Sequence, residues 1–436
     1  MLETARIFDV TVQTLLSPTL PHQDGGHAVI PVDVSRAYVN GRLYVPFRAL
    51  ESQTEQVSGP DGKTGERTVG RYRTLVLRSD GVVCTFSYLP APRGTPKQDR
   101  VLALSDGTLL SRPPLVDEAR STFSPSAITR FREARTAGKS AMTLTPLELL
   151  ERLHEHMKAL SALAHEEDYA LLTFVVVASY AQAVFDTVPF VQLTGPGGLA
   201  ADRALLEVSC NATLITGPTP APTAARSLDR LGGLAVIDLG GMARHNTEEE
   251  LNAFVQRLSA STRKDTSGDS WTDPRTMRGE KLDLYGVKVV TGAPGAAGIF
   301  SNPVLRICSR KPAKEATGLP SSATKLQELR DNLHIWVMEN VERINHLYRQ
   351  SCVSPGNPQE ALTAPLTVLA DLTGHSSPRR AASGGSGASG AGASRAHVVG
   401  PAGARGRTFP RPPGLPEEAR PQTSDARDAP ANRGRL

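Results

Sequence analysis

A chain of 436 residues is long enough for two or three domains with hydrophobic cores of their own, so a small stapled scaffold is excluded. The four cysteines lie far apart without a CxxC pair, which argues against a structural zinc site or a disulfide framework and favours reduced, buried thiols. The net charge of +5 belongs to the tail, because Ser376 to Leu436 holds ten arginines against four acids, which leaves the rest of the chain slightly acidic.

The first residues, MLETARIFDVTVQTLL, lack a basic flank, a long apolar run and a small-residue cleavage site. We therefore expect no secretory signal and a cytoplasmic location. Residues 1–115 carry short β-like runs, such as RLYVPFRAL and GVVCTFSYL, that are separated by Gly, Pro and Asp turns. They predict a β-rich N-terminal domain, and a connecting helix and linker follow over residues 116–144.

Thr145 opens a clear helix signal. It is a capping residue, Pro146 takes the first helical position, and Glu148 completes a capping box before leucines at helical spacing. This pattern predicts a helix over residues 146–163. The next apolar stretch, Tyr169 to Phe185, is interrupted by polar residues and flanked by acids rather than by lysine or arginine. We interpret it as a buried helix and expect no membrane partner.

Helical and extended runs alternate in the middle of the chain, where PFVQLT, ATLIT, GLAVID and GVKVVTG have the pattern of strands. Strands that alternate with helices indicate parallel strands joined by crossover helices, so we predict an α/β core over residues 145–320. An amphipathic helix at residues 322–350 and the run ALTAPLTVLADLTG predict a helical cap over residues 321–375. Residues 376–436 contain few large apolar residues, which predicts a disordered basic tail of Gly, Ala, Pro and Arg.

A glycine-rich turn follows the strand PFVQLT directly. A P-loop, GxxxxGK[ST], wraps phosphates with backbone N–H groups, reaches the β and γ phosphates with its lysine, and holds magnesium with its hydroxyl. The sequence GPGGLAAD, residues 195–202, stands between that strand and the helix ADRALLEVSC. Its frame fits the pattern, but Ala200, Ala201 and Asp202 occupy the positions of the second glycine, the lysine and the hydroxyl residue.

The second signature of such a site is an apolar strand that ends in Asp-Glu. The Asp holds the water shell of the magnesium ion, and the Glu polarises the attacking water. In the strand LAVID the carboxylate is Asp238, and Leu239 follows it where the glutamate is expected. The chain therefore keeps the magnesium-side carboxylate and lacks the catalytic one.

Six segments in the same order make a family resemblance specific. Over residues 145–380 the chain resembles the helicase-like, AAA-like P-loop ATPases of phages, plasmids and integrated elements, which are often found with a primase. The segments are YALLTFVVVASYAQAVFDTVPFVQLTGPGG, LLEVSCNATLITGPTPA, LDRLGGLAVID, LYGVKVVTG, LRDNLHIWVMEN and PLTVLADLTGHSSPRRA. Residues 70–140 resemble the β-rich leader of that family.

The resemblance implies a P-loop NTPase-like core of the additional-strand kind, with three layers and a mainly parallel sheet. It also implies a multimer that couples ATP turnover to the handling of DNA. Thr291 stands where a polar residue of the family senses the γ phosphate. The family supplies an arginine across a subunit interface where Asn302 or Pro303 stands here, and Arg306 or Arg310 is the nearby substitute.

Absence of the lysine, the glutamate and the interface arginine predicts negligible hydrolysis, because each missing charge removes transition-state stabilisation. Asp202 places a negative charge where the triphosphate would sit at the helix N-terminus, and Arg203 is the one nearby cation in the sequence that would compensate. We therefore predict no resident cofactor and no metal, with ATP and Mg²⁺ as the ligands of a vestigial site. The residues of that site are Gly195, Gly197, Gly198, Asp202, Arg203, Asp238 and Thr291.

A polar segment before the strand GVKVVTG carries Arg263, Lys264, Arg275, Arg278 and Lys281. In DNA-handling relatives this loop can face nucleic acid, so Arg263 and Lys264 are candidate DNA contacts. A basic surface loop that faces only solvent has the same composition, and the sequence leaves both interpretations open.

The predicted function is that of a catalytically impaired helicase-like ATPase relative, which serves as a scaffold or regulator in DNA replication or maintenance of a mobile element. Its expected partners are DNA and further copies of itself or of related ATPases. An alternative from another class is a protein interaction module that pairs with an active ATPase paralogue and binds neither nucleotide nor DNA. A third alternative is a decaying gene product without a selected activity.

Overall fold

The computed structural model describes ten stretches of the chain. They are residues 31–33, 37–58, 64–95, 100–114, 122–229, 231–272, 279–292, 304–311, 322–351 and 357–374. The predictions for residues 1–30, for Asn302 and Pro303, for Arg275 and Arg278, and for the basic tail over residues 376–436 lie outside these described residues.

The described part of residues 1–115 is antiparallel β structure, as predicted. One sheet has the order β1-β2-β3-β4, and a second has the order β5-β6-β7. The strands are β1 (Tyr38–Val39), β2 (Arg42–Ser58), β3 (Thr64–Arg78), β4 (Val83–Cys84), β5 (Phe86–Tyr88), β6 (Leu102–Leu104) and β7 (Leu109–Leu110). Asn40 and Gly41 join β1 to β2 with φ angles of 50° and 77°, the type I′ turn that suits the twist of a hairpin.

This β region shares its core with the rest of the chain. Leu43 and Phe47 of β2 and Leu77 of β3 are buried in the same continuous cluster as the helices and strands beyond residue 122. The predicted N-terminal region is therefore β-rich: one face of its larger sheet packs onto the central body, and a second, smaller hydrophobic cluster joins residues of both sheets, among them Tyr44, Val76 and Leu102.

Helix α1 (Pro125–Thr136) lies in the segment predicted as a connecting helix and linker. Its Ile128 and Phe131 are fully buried in the central cluster. The hydroxyl of Ser124, the N-cap residue, donates a hydrogen bond to Asp331 at 2.6 Å, across more than 200 residues of sequence. The described part of this segment therefore packs against the central cluster and is held by a hydrogen bond to α8, which its polar composition did not predict.

Helices α2 (Pro146–Leu160) and α3 (Glu166–Ala181) form a hairpin. The predicted capping box is present, because Thr145 Oγ1 accepts from the Glu148 amide at 3.3 Å and Glu148 accepts from the Thr145 amide at 2.8 Å. Helix α3 is buried along nearly its whole length, which confirms the predicted buried helix. Within the described residues, no helix has both the length and the apolar character that crossing a membrane requires.

A five-stranded parallel sheet forms the centre of the molecule, in the order β14-β8-β13-β10-β9. This confirms the predicted α/β architecture. The elements are β8 (Phe190–Thr194), α4 (Gly198–Val208), β9 (Thr213–Ile215), α5 (Ala221–Leu228), β10 (Leu234–Asp238), α6 (Leu239–Met242), α7 (Glu248–Ala260), β13 (Val287–Thr291) and β14 (Leu305–Cys308), with the antiparallel pair β11 (Gly268–Thr272) and β12 (Gly279–Asp283) inserted before β13.

The strand order creates a crevice at one edge of this sheet. From β8 the chain crosses to β9 at the far side, and it then returns through β10 and β13 to β14 on the other side of β8. Because crossover connections are right-handed, the helix after β8 covers one face and the helices of the return path cover the other. The connections of the neighbours β8 and β13 therefore diverge, and open α/β sheets bind ligands where this happens.

Two helices complete the described chain, α8 (Ala323–Ser351) and α9 (Pro358–Thr373). Both were predicted, and α8 begins and ends within one residue of the predicted bounds. Helix α8 buries Leu333, Trp336 and Ile344 in the central cluster, so these helices are part of the packed body. Gly374 ends α9 in the left-handed conformation typical of a helix C-cap, with a φ of 72°.

Candidate functional site

The turn after β8 is built from glycines. Gly195 has a φ of +100°, a conformation that glycine adopts without strain. Gly197 is the N-cap of α4, and no side chain caps that helix. The turn therefore runs from the carboxyl end of a central parallel strand into a helix N-terminus.

This turn packs closely against the segment after β14. A Cβ atom on Gly195 would overlap the carbonyl oxygen of Ser309, and one on Gly197 would overlap that of Arg310. The Ser309 hydroxyl donates to the Thr194 carbonyl oxygen at 2.9 Å and accepts from the Gly197 amide at 3.1 Å. The protein itself thus uses one amide of the turn, and the close backbone packing alone requires both glycines.

A cleft of about 450 Å³ opens at the carboxyl ends of β8, β10 and β13. It lies in the crevice created by the strand order, the usual location of a ligand site in an open α/β sheet. Among the residues that line it are Gly195, Gly198, Asp238, Arg244, His245 and Thr291. The structure therefore brings together the glycine turn, the carboxylate at the end of β10 and the threonine at the end of β13.

Asp238 caps a short helix at the floor of the cleft. It pairs in register with Thr291 on the neighbouring strand, and its Oδ1 accepts a hydrogen bond from the Gly241 amide at 2.8 Å. This bond makes Asp238 the N-cap of α6. Its carboxylate thus has a structural role, whether or not a cation is bound.

Asp202 lies beneath the cleft and not in it. It is the fifth residue of α4, its side chain is 3% exposed, and its Oδ2 accepts from the Thr291 hydroxyl at 3.2 Å. Within the described part of the chain, its Oδ1 has no hydrogen-bond partner. Burial raises the pKa of Asp202 to about 7, although the bond from Thr291 opposes this rise and the charge of Asp238 adds to it.

The expectation that Asp202 stands among the phosphates at the helix N-terminus therefore needs correction. Because Asp202 is the fifth residue of α4, its carboxylate points toward the end of β13, where the protein encloses it. The motif pattern places Asp202 at the end of the loop, whereas in the structure the helix begins four residues earlier, at Gly198.

Two residues that stand at expected motif positions, Ala201 and Leu239, lie in the core. Ala201, at the position of the phosphate-binding lysine, is 0% exposed. Leu239, at the position of the catalytic glutamate, is 3% exposed. Both side chains belong to the central hydrophobic cluster. The two positions at which the P-loop pattern expects a lysine and a glutamate are thus buried apolar positions.

The arginine that lines the cleft differs from the predicted one. Arg203 is exposed, does not line the cleft, and pairs with Glu207 of the same helix at 2.9 Å. Arg244 and His245 line the cleft and are exposed, although sequence reasoning did not select them. Their position in the sequence could have identified them, because both follow closely after the carboxyl end of β10, where the cleft lies.

The two candidate substitutes for the interface arginine lie on β14 and just after it. Arg306 is half-buried within the strand and is paired in register with Gln192 of β8. Arg310 follows the strand, is exposed, and lies beside the backbone of Gly197. Of the two, only Arg310 is at the cleft edge of the sheet.

The candidate DNA contacts lie at the opposite edge. Arg263 bridges to Thr187, which precedes β8, so it is far from the carboxyl end where the cleft opens. Its guanidinium donates to Asp265 at 3.0 Å, and Lys264 Nζ donates to the Ala183 carbonyl oxygen at 2.6 Å. Both side chains have intramolecular partners, and the structure does not bring them together with the glycine turn.

Comparison with known proteins returned neither a matching protein-family model nor a matching curated protein. Within the described residues, no group of three or more His, Cys, Asp or Glu side chains is arranged to hold a metal ion. The site must therefore be judged by its own geometry, which within the described residues provides a glycine turn, the half-buried Asp238 carboxylate, the exposed Arg244 guanidinium and the exposed His245 imidazole.

Proposed function

We propose that this chain is a non-hydrolysing relative of the helicase-like P-loop ATPases, which serves as a scaffold or regulator in the replication or maintenance of a mobile element. The observation that carries the proposal is the arrangement of the cleft. In additional-strand ATPases one further strand separates the strand before the phosphate loop from the strand with the magnesium-side carboxylate. Here β13 lies between β8, which leads into the glycine turn, and β10, which ends in Asp238.

The side chains of the cleft support the loss of turnover. Phosphoryl transfer depends on cations that neutralise developing charge and on a residue that orients the nucleophile. Ala201 and Leu239 are buried in place of the lysine and the glutamate, so neither a cation nor a base projects from those positions. Removal of a single transition-state donor lowers kcat by about 100- to 1000-fold, and this site lacks at least two such groups.

The residues present do not fit an ATP–Mg²⁺ complex in its productive geometry. The Gly197 amide is bound to Ser309, and the carboxylate of Asp202 replaces the hydroxyl that would face the cation. Arg244 at the rim provides positive charge for an anionic group, and His245 lines the cleft with it, but both approach from the β10 side and not from the loop. A scaffold that holds the ATPase fold without its chemistry accounts for these features together.

We expect the purified full chain to hydrolyse ATP no faster than the background of the assay, and to give no heat of binding with sub-millimolar ATP or ADP. Steady-state phosphate release and titration calorimetry, both with Mg²⁺, measure these quantities. The proposal is wrong if turnover lies in the range typical of active enzymes, about 1 to 100 per second. Micromolar binding without turnover would contradict the expected absence of binding; the chain would then be a non-hydrolysing scaffold that responds to nucleotide.

Asp238→Asn provides the matched control for any phosphate release. An asparagine Oδ1 still accepts the bond from the Gly241 amide, so the cap of α6 is preserved while the charge is removed. Activity that persists unchanged in this variant belongs to a contaminant. Activity that disappears belongs to the cleft and contradicts the proposal.

A further inference from the structure

The outer part of strands β2 and β3 is a two-stranded ribbon. Leu50 and Tyr72 lie opposite each other in the register, and their side chains are 54% and 64% exposed. The pairing continues from them to Ser58 and Thr64, over a length of about 27 Å at about 3.4 Å per residue. We refer to this part of the two strands as the ribbon. A hairpin of two strands is at best marginally stable in water, so the ribbon would gain stability from a further strand.

The outer edge of β2 has no neighbouring strand along the ribbon. Within the described residues, β1 pairs with Arg42 and Leu43 of β2 and with nothing beyond them. The amide of Tyr44 donates to the Ala37 carbonyl oxygen, away from β3. Because the register of β2 and β3 contains no bulge, every second residue after Tyr44 also points its N–H and C=O groups outward. On the ribbon these outward residues of β2 are Leu50, Ser52, Thr54, Gln56 and Ser58.

The charge of this segment favours a protein strand over a nucleic acid as its partner. Residues 50–75 contain four acids and four bases, so they present no net positive charge to a polyanion. Unpaired backbone N–H and C=O groups are a template for another strand. A second copy of this chain offers an edge of the same length and hydrogen-bonding pattern, and antiparallel pairing about a two-fold axis matches the edge with itself.

We propose that the chain forms a two-fold dimer in which residues 50–58 of β2 pair antiparallel with the same residues of a second copy. Pairing of this segment with itself places the axis at Thr54, its middle residue. The outward residues of the two copies then exchange about ten hydrogen bonds, a number typical of protein–protein interfaces. The ribbons form one sheet of order β3-β2-β2-β3, and the antiparallel arrangement keeps the two bodies at opposite ends of it. This dimer does not use the cleft and does not rest on the proposed function.

The residues of the two edges favour β2 over β3. The amide of Arg78 in β3 donates to the Val82 carbonyl oxygen, away from β2, so every second residue of β3 points outward at the other edge. On the ribbon these residues include Glu66 and Gly70. Charged residues on an edge oppose strand pairing, and glycine weakens a strand. The outward residues of β2 on the ribbon are uncharged and include no glycine.

A proline at the axis tests the dimer. Thr54→Pro removes an N–H that points away from β3, so the hydrogen bonds within the ribbon remain while both copies lose a bond at the centre of the interface. We expect sedimentation velocity to show a dimer of the native full chain at micromolar concentration. The dissociation constant of the variant should be roughly 10- to 100-fold higher, the effect of two lost hydrogen bonds.

Thr68→Pro is the matched control. Thr68 pairs with Thr54 in the register and points its own N–H outward at the β3 edge, so this variant should dimerise as the native chain does. A native chain that is monomeric at about 100 μM overturns the proposal. So does a dimer that Thr54→Pro leaves intact or that Thr68→Pro weakens as much. Association that requires an added oligonucleotide would assign the ribbon to nucleic acid and overturns it too.

A disulfide across the axis tests the register. Residues that exchange both hydrogen bonds in an antiparallel pair have Cα atoms about 5.5 Å apart, which suits a disulfide. We therefore expect Thr54→Cys to form a covalent dimer under mild oxidation. Ser58→Cys is the control, because the two copies of this residue would be about 27 Å apart along the paired strands. Equal yields of covalent dimer from the two variants would reflect random collision and overturn the proposed pairing.

Discussion

Replacement of Gly195 by alanine is expected to lower the free energy of unfolding by about 2 to 5 kcal/mol. Two physical effects add together here. At a φ of +100° an L-residue is strained, and the new Cβ atom would overlap the carbonyl oxygen of Ser309. A backbone carbonyl oxygen that belongs to a buried segment cannot move aside as a flexible side chain does.

Urea unfolding of the two proteins at one pH measures this difference, and Gly138→Ala is the matched control. Gly138 has a φ of +66° and no atom within 4 Å of a new Cβ, so its substitution should show the conformational strain alone, about 1 kcal/mol. If Gly195→Ala destabilises the protein no more than Gly138→Ala does, the close approach of Ser309 to the glycine turn is absent in solution.

This comparison bears on how the glycine turn should be interpreted. Glycines in a GxxxxGK[ST] frame are usually explained by the approach of a phosphate group to the backbone. Here Ser309 and Arg310 already occupy the space that a side chain on Gly195 or Gly197 would need. Glycine at these two positions is therefore no sign of nucleotide binding.

Asp202→Asn is expected to stabilise the protein at pH 8 and to leave its stability at pH 4 nearly unchanged. Burial gives the carboxyl group a folded-state pKa of about 7, above its ordinary value of 3.8. The folded state therefore holds the proton more tightly than the unfolded state. The stability that this provides is fully present below pH 4 and is lost as the pH rises through 7. The difference spans about three pH units, which gives an upper limit of about 4 kcal/mol.

Chemical unfolding between pH 4 and pH 8 checks this expectation, with Asp168→Asn as the comparison. Asp168 is also buried, and burial raises its pKa to about 6, so the benefit of its substitution should be complete at a lower pH and should be smaller. A stability profile of Asp202→Asn that runs parallel to that of the native protein would show that the carboxyl group is solvated rather than enclosed beneath the cleft.

The behaviour of Asp202 also links stability to the proposed function. A carboxyl group that is partly protonated near neutral pH is a weak ligand for a hard cation, which binds ionised oxygens. In the folded protein this group is held against Thr291, the residue that the family resemblance assigns to sensing the γ phosphate. Two positions to which the family resemblance assigns roles are thus joined to one another by a hydrogen bond.

Local sequence determined most of the elements. Thr145, Pro146 and Glu148 fixed the start of α2, because a capping box satisfies the free amides of a first helical turn from within four residues. The apolar stretch around Val176 predicted a buried helix, and the alternation of strands and helices predicted an α/β core with parallel strands. Such signals depend on neighbours along the chain, so they can be read without the fold.

The tertiary structure alone decided the contents of the cleft. Ser309 binds the Gly197 amide across 112 residues of sequence, and Asp202 meets Thr291 across 89. Arg244 and His245 line the cleft only because the strand order of the sheet brings the end of β10 close to the glycine turn. Close approach, burial and the resulting rise of a pKa depend on atoms that are distant in sequence. The sequence by itself therefore determined where a site had to lie, and three-dimensional packing determined which groups are available in it.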